Sequence, residues 1–232
     1  MQKINSMRYP VTNTGSKEDF DSAWYNAQGF GVQTTYGFHE GCDINLKTGG
    51  DTDLGQELKS IANGRIVYYH YASHPTTAYG RHLVVRIEGG WGTRWVHYAH
   101  CDTNGFLNAV QDVTEGQIIA RLGKSGTPYA HLHFSIFKVD PSTVGGIDQI
   151  ARNTTDLNNW WEDPIAFIDK WMQPIIIPQL EITDQTKIPQ INNMEVQAIR
   201  SMLNDQQNTI ISKDNTINSL NGKIEQIRTI IQ

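Results

Sequence analysis

Two short stretches that lie far apart in the sequence are dense in side chains that ligate metal ions. HEGCDIN (39–45) offers His39 and Asp43, and HLHF (131–134) offers His131 and His133. Imidazole nitrogens and carboxylate oxygens are common zinc ligands, and a catalytic zinc site needs three protein ligands and an open position for water. Bound zinc acidifies that water and polarises a substrate carbonyl. The two stretches therefore predict a single site, provided that the fold brings them together.

The second stretch has the period of a β-strand. In AHLHFSIF, Leu132, Phe134 and Ile136 alternate with His131 and His133. A half-buried strand would press the three apolar side chains into the core and put both histidines on the opposite face. Two imidazoles about 6 to 7 Å apart along one strand face can serve one site, although both need not be ligands.

The first stretch fits a metal site only if the chain bends. On a straight strand, His39 and Asp43 would lie about 13 Å apart, too far for bonds of about 2 Å to one zinc ion. A helix would bring them together, but the central glycine and the surrounding β pattern argue against one. We expect a bend at Gly41, because a residue without a side chain permits unusual backbone angles and close approach.

The remaining histidines are weaker candidates. His97 and His100, in WVHYAH, are separated by an odd number of residues, so at most one of them faces the site if both lie on a regular strand. His82 is on the more polar face of RHLVVRI, and we expect it to be exposed to solvent. His70 and His74 are predicted to lie in a loop at YASHPTTAYG, where roles on the surface and at a substrate rim both remain open. The joint pattern, rather than any single histidine, predicts the site.

Residues 38–138 consist of short β-branched and aromatic runs separated by glycine-containing turns, which predicts a mainly β, antiparallel domain. Short helices are expected on either side: one in SKEDFDSAWYNAQ, capped by Ser16, and one in NNWWEDPIAFIDKWM, with Pro164 in its first turn. We assign residues 1–172 to this domain. Residues 173–193 contain three prolines and no helical period, which indicates a linker.

Residues 194–232 carry a heptad repeat that predicts a coiled coil and a homo-oligomer. Its two seam positions are occupied by Val196, Leu203, Ile210, Ile217, Ile224 and Ile231, and by Ile199, Gln206, Lys213, Leu220 and Ile227. A parallel dimer and a trimer both suit this pattern. A single amphipathic helix docked on the domain is the alternative.

Composition excludes several classes of protein. The net charge of −5 argues against a nucleic-acid partner, and the lack of a long apolar run argues against a membrane-spanning helix.

The N-terminus does not have the pattern of a secretory signal, so the chain either reaches its target without one or begins after one has been removed. One bridge between Cys42 and Cys101 is possible, but free thiols are the simpler expectation.

Three motifs together resemble the lysostaphin-type (LytM, or duplicated hybrid motif) zinc endopeptidases of bacterial cell walls. They are His-x-Gly-x-Asp in HEGCD, Tyr-x-His in YAH and His-x-His-Phe in HLHF, supported by GQIIARLGKSG and DPIAF. The resemblance covers roughly residues 30 to 170. It implies a lysostaphin-type metallopeptidase domain, Zn²⁺ as cofactor and peptidoglycan as substrate. It also implies that His39, Asp43 and His133 are the zinc ligands and that His100 and His131 are the catalytic histidines.

The sequence departs from the family pattern in a few places. TPYA precedes His131, Ser135 stands where relatives often have glutamate, and Cys42 and Cys101 adjoin site residues. These departures bear on substrate preference more than on metal binding, and we expect the Cys42 side chain to point away from the site.

Two functions follow from the resemblance. The first is a zinc endopeptidase that hydrolyses stem peptides or cross-bridges of peptidoglycan, acting at the cell wall or on the extracellular side, in a bacterial or a virion-associated setting. The second is a non-catalytic scaffold that binds the wall, or activates another hydrolase, through its coiled coil. The sequence leaves open which bond is cut and whether the source is a bacterium or a phage.

Overall fold

The computed structural model of the protein describes residues 7–71 and 78–172. His74, the predicted linker (173–193) and the predicted coiled coil (194–232) lie outside the described residues. The elements in chain order are α1 (Lys17–Ala23), β1 (Trp24–Gln28), β2 (Gly41–Leu46), β3 (Glu57–Lys59), β4 (Gly64–His70), β5 (His82–Gly89), β6 (Gly92–Ala99), β7 (Asp112–Val113), β8 (Ile118–Arg121), β9 (Leu132–Phe137), a 3₁₀ turn (Pro141–Val144), α2 (Thr154–Trp160), β10 (Trp161–Glu162) and α3 (Pro164–Trp171).

Eight of the described strands form one antiparallel sheet, which confirms the mainly β prediction. Its order is β1-β2-β9-β6-β5-β4-β7, and β10 pairs with β9. Strands β3 and β8 form a separate two-stranded sheet. Strands β2 and β9 are therefore neighbours, although almost ninety residues separate them along the chain.

The main hydrophobic core packs against one face of the large sheet. The predicted core residues of β9, Leu132, Phe134 and Ile136, are fully buried in it. The opposite face is also covered, by a smaller apolar cluster that includes Phe137 of β9 and Trp161 of β10. Every residue of β9 is therefore buried. The prediction of a half-buried strand was wrong, because alternation within one strand cannot show that distant segments cover its second face.

The helix before the sheet begins where the sequence predicts and ends earlier. The Ser16 hydroxyl caps α1 by accepting a hydrogen bond from the Asp19 amide at 3.1 Å. The helix stops at Ala23, since Trp24 takes an extended conformation and begins β1. The predicted helical stretch ran five residues too far, to Gln28, because an edge strand was not recognised in it.

Helix α3 starts at Pro164, as predicted. The Asp163 carboxylate accepts from the amides of Ile165 and Ala166, and Phe167 and Ile168 pack into the core. In residues 7–71 and 78–172, the structure shows no helix long and apolar enough to cross a membrane.

Candidate metal centre

The pairing of β2 with β9 sets Asp43 directly opposite His133. The Asp43 Oδ1 atom lies 3.1 Å from His133 Nδ1 and 3.2 Å from His39 Nε2. The two ring nitrogens are 3.0 Å apart. One nitrogen or oxygen atom from each residue therefore points at the same place, and the two stretches that opened the sequence analysis meet there.

The backbone around Gly41 makes this meeting possible. His39 precedes β2, which begins at Gly41, so the chain is not a straight strand between His39 and Asp43. Gly41 lies opposite Ser135, and a Cβ atom at Gly41 would lie 2.5 Å from the carbonyl oxygen of Phe134. The close approach expected at this glycine is present.

The three ligating atoms suit a small tetrahedral metal ion. Zinc bonds of about 2.0–2.1 Å would place tetrahedral ligand atoms about 3.3 Å apart, close to the 3.0–3.2 Å separations seen here. Burial opposes ionisation of Asp43, but hydrogen bonds and charge from His133 and His39 lower the pKa of this carboxyl well below its usual range. Burial likewise opposes protonation of His39, yet Asp43 raises the pKa of this imidazole. In the described residues, His39, Asp43 and His133 are the group that could hold a metal ion.

Backbone carbonyls fix the tautomers of three of the site's imidazoles. His39 Nδ1 donates to the Gly29 carbonyl at 3.1 Å, and His100 Nδ1 donates to the Ser125 carbonyl at 2.8 Å. The Nδ1 atom of His131 donates to the carbonyl of Tyr129 at 3.1 Å. Because a carbonyl can only accept, Nδ1 carries the proton in each ring, and Nε2 of the neutral ring carries a lone pair.

His100 and His131 lie beside the three candidate ligands. Their ring centroids are 4.5 Å apart, and His131 Nε2 is 3.7 Å from Asp43 Oδ1. Burial and the neighbouring histidines lower the pKa of His100 to about 3, and burial lowers the pKa of His131. Both rings are therefore neutral at pH 7, and each has an Nε2 lone pair that can accept a hydrogen bond. The structure thus groups all five residues that the family resemblance implied.

Strand alternation does not decide which of His97 and His100 faces the site. Both rings lie 6.1 Å from the His133 ring. His97 lies within β6, whereas His100 follows the end of that strand with a left-handed backbone, φ 60°. Strand alternation does not extend to a residue in that conformation. His97 is fully buried, and in the described part of the chain its Nε2 atom has no hydrogen-bond partner.

The prediction that His82 is exposed was also wrong, since its exposed fraction is 0%. Its ring stacks against Tyr68 and His70, and Tyr79 lies across it. His70 is the last residue of β4, so the prediction of a loop was wrong for this residue. Neither ring nitrogen has a hydrogen-bond partner within residues 7–71 and 78–172. Burial lowers the pKa of His82 to about 3. The polar side of β5 is covered by other segments, which the sequence of β5 cannot indicate.

The two cysteines are buried free thiols. The Cys42 side chain packs in the main core, on the face of β2 away from Asp43, as expected. Burial raises the pKa of both thiols, so neither supplies a thiolate to the site at neutral pH.

Two residues of the site were missed by sequence reasoning. Glu40 is only 5% exposed, and its carboxylate accepts a hydrogen bond from the Tyr79 hydroxyl. Its Oε1 atom is 3.8 Å from His133 Nε2. Glu40 is the variable second residue of the HEGCD motif, and Tyr79 lies outside the three motifs, so sequence reasoning assigned a role to neither residue.

Comparisons with known proteins match the part of the chain that carries the site. The model of peptidase family M23 matches residues 37–145, a range that contains all five site residues. The murein hydrolase activator NlpD of Escherichia coli is 32% identical over 105 residues, which are 45% of this chain and 25% of that protein. The lipoprotein NlpD of Yersinia enterocolitica is 30% identical over 82 residues, which are 35% of this chain and 77% of that protein.

Among solved structures, the catalytic domain of lysostaphin from Staphylococcus simulans aligns with a TM-score of 0.45 and 18% identity. That alignment covers 66% of this chain and 98% of that domain. The chain spans about a quarter of the length of the Escherichia coli relative. The family match over the site, together with the Yersinia relative that this chain largely covers, shows that the chain belongs to peptidase family M23.

Proposed function

We propose that the chain is a zinc-dependent endopeptidase that hydrolyses peptide bonds in the stem peptides or cross-bridges of bacterial peptidoglycan. The observation that carries the proposal is the convergence of His39 Nε2, Asp43 Oδ1 and His133 Nδ1 at 3.0–3.2 Å. These three residues would hold the zinc ion. Three protein ligands are also the number that a catalytic zinc site uses, which would leave its fourth position for water and substrate.

Zinc, when bound, acidifies water and polarises a carbonyl group. The neutral rings of His100 and His131 each offer an Nε2 lone pair that can accept a hydrogen bond from water and orient it, because their Nδ1 atoms are committed to backbone carbonyls. One of these Nε2 atoms can take the proton of the attacking water. Once protonated, the ring can stabilise the developing oxyanion or protonate the leaving amine.

The substrate and the location are inferred from the family and from the names of relatives. The two relatives are named as a murein hydrolase activator and as a lipoprotein, which supports a site of action at the cell wall or on the extracellular side. The negative net charge makes attraction of the chain to the anionic wall by a basic surface a poor explanation of targeting.

The proposal is tested by zinc content and by cleavage of purified peptidoglycan, followed as newly released peptide termini. We expect about one zinc per chain, consistent with one three-ligand site, and loss of both zinc and cleavage in Asp43→Ala. Asp112→Ala, which removes an exposed carboxylate paired with Arg65, should change neither.

His131→Ala tests the catalytic role separately from metal binding. We expect this variant to keep its zinc and to cleave about 10²- to 10⁴-fold more slowly, the usual range for loss of a general acid–base group. A folded wild-type chain that stays free of zinc after zinc is added would contradict the proposal. Zinc loss in His131→Ala would contradict the separation of roles.

A second function, activation of another wall hydrolase, is favoured by the relative from Escherichia coli, whose name describes it as a murein hydrolase activator. It is distinguished by adding the zinc-loaded chain to peptidoglycan together with a separate wall hydrolase. Faster cleavage by that enzyme, with no termini released by the chain alone, would favour activation over hydrolysis.

A further inference from the structure

One imidazole of the site is oriented differently from the other three. His39, His100 and His131 each donate Nδ1–H to a backbone carbonyl, and Nε2 of His39 and of His131 lies close to Asp43. His133 is reversed, since its Nδ1 atom faces Asp43 and His39. Its Nε2 atom points away from the other two candidate ligands, and in the described part of the chain it is buried without a hydrogen-bond partner.

This reversal creates a requirement for a hydrogen-bond acceptor. If Nδ1 of a neutral imidazole binds a metal ion, the ring proton must lie on Nε2. Ligating histidines almost always donate that second N–H to a carboxylate, a carbonyl or water, which fixes the tautomer and the ring orientation. The Nε2–H group of His133 would otherwise be a buried donor with nothing to accept it.

A buried carboxylate lies next to this nitrogen. Glu40 Oε1 is 3.8 Å from His133 Nε2, and both side chains are more than nine-tenths buried. A movement of about 1 Å would bring the two atoms to hydrogen-bond distance.

Glu40 is itself held by a second residue. The Tyr79 hydroxyl donates to the Glu40 carboxylate, and the Tyr79 ring lies 5.2 Å from the His133 ring. Tyr79 is itself buried, so this hydrogen bond is shielded from water.

We propose that Glu40, anchored by Tyr79, is a positioning residue that accepts a hydrogen bond from His133 Nε2 and so holds His133 Nδ1 in the orientation that binds zinc. The inference rests on the proposed zinc function and adds residues that act through a ligand rather than on the substrate. It also explains why a charged side chain is buried between His39 and Gly41.

The test compares zinc affinity, measured by competition with a chelator, among four full-length variants. Glu40→Met keeps the length of the side chain and removes the acceptor, so we expect about 10- to 100-fold weaker zinc binding. Glu40→Gln keeps an acceptor oxygen and should lose less, as should Tyr79→Phe. The control is Glu18→Met, which replaces an exposed glutamate in α1 and should bind zinc like the wild type.

A second measurement reports the hydrogen bond itself. In the zinc-loaded chain labelled with ¹⁵N-histidine, we expect the Nε2–H proton of His133 to be protected from exchange with solvent. That protection should be lost in Glu40→Met and partly kept in Glu40→Gln. Thermal unfolding of each variant shows whether a weak binder is folded, and the glutamine variant provides the test if the methionine variant does not fold.

The outcomes separate this inference from the proposed function. Equal zinc affinity and equal Nε2–H protection in the wild type and Glu40→Met would overturn the role of Glu40 and leave the zinc site intact. Equal losses in Glu40→Gln and Glu40→Met would overturn the acceptor role in favour of charge alone. A wild-type chain that binds no zinc would overturn the proposed zinc function, and this inference with it.

Discussion

Replacement of His82 by phenylalanine should make the protein more resistant to acid. His82 is fully buried between the rings of Tyr68 and His70, and neither of its nitrogens has a hydrogen-bond partner among the described residues. His82→Phe therefore keeps an aromatic ring in the stack and breaks no described hydrogen bond. It also removes an imidazole that takes up a proton more readily in the unfolded chain than in the folded one.

The size of the effect follows from the two pKa values of this group. The ordinary pKa of histidine is 6.5, and burial lowers that of folded His82 to about 3. Because the folded pKa is the lower one, the unfolded chain binds the proton first as the pH falls. The stability contributed by neutral His82 is therefore present above pH 6.5 and is lost progressively below it. Between pH 7.5 and pH 5 this linkage removes about 2 kcal/mol from the free energy of unfolding.

Urea unfolding followed by tryptophan fluorescence, at pH 7.5 and pH 5 with a chelator in every sample, measures this loss. His97 is also buried with a lowered pKa and titrates in the same direction, so the informative quantity is the difference between the variant and the wild type. We expect His82→Phe to lose about 2 kcal/mol less than the wild type over this interval. Tyr68→Phe changes the same stack without removing a histidine and should follow the wild type. An identical acid loss in His82→Phe would refute the reasoning, since it would mean that folded His82 takes up a proton at its ordinary pKa.

Three further predictions concern the strand pairing, the cysteines and the C-terminal segment. Gly41→Ala should weaken zinc binding and lower the melting temperature, because the added Cβ atom would lie 2.5 Å from the carbonyl oxygen of Phe134. The control is Gly90→Ala, whose Cβ atom would lie 3.6 Å from the nearest atom. Equal melting temperatures of the two variants would contradict the packing argument. Because Cys42 and Cys101 are both buried, neither should react with a thiol reagent in the native chain, and both should react once urea unfolds it. Rapid labelling of the native chain would contradict the structure. In the full chain, Ile210→Asp should reduce a dimer or trimer to a monomer by light scattering, because it buries a charge in the predicted seam; an unchanged mass would count against the coiled coil.

Much of the β framework could be predicted because its signals are local. A strand with one face on a core repeats every two residues, so the assignment of Leu132, Phe134 and Ile136 to the core needed only the sequence of β9. Helix starts are similarly local, since Ser16 and Pro164 act within one turn of their own positions. The choice of His39, Asp43 and His133 as candidate ligands also came from residue type and motif. Their roles remain a proposal, although the structure places the three side chains together.

The errors arose where a residue's surroundings come from distant parts of the chain. His82 was expected in solvent because its own strand is more polar on that side, yet Tyr79 and the ring of His70 cover it. Alternation could not apply to His100, because a left-handed residue after β6 redirects its side chain.

The sequence by itself determined the chemical types of the candidate site, the alternation of the strands and the helix caps, because these depend on residues close together in the chain. Only the tertiary structure decided that β2 and β9 are neighbours, that three imidazoles are oriented by backbone carbonyls, and that the Glu40 carboxylate is buried against His133. The physical reason is that burial and hydrogen-bond partners are properties of the whole packed chain. The same glutamate would be a solvated charge on an isolated strand, but beside His133 it is a buried acceptor next to a nitrogen that needs one.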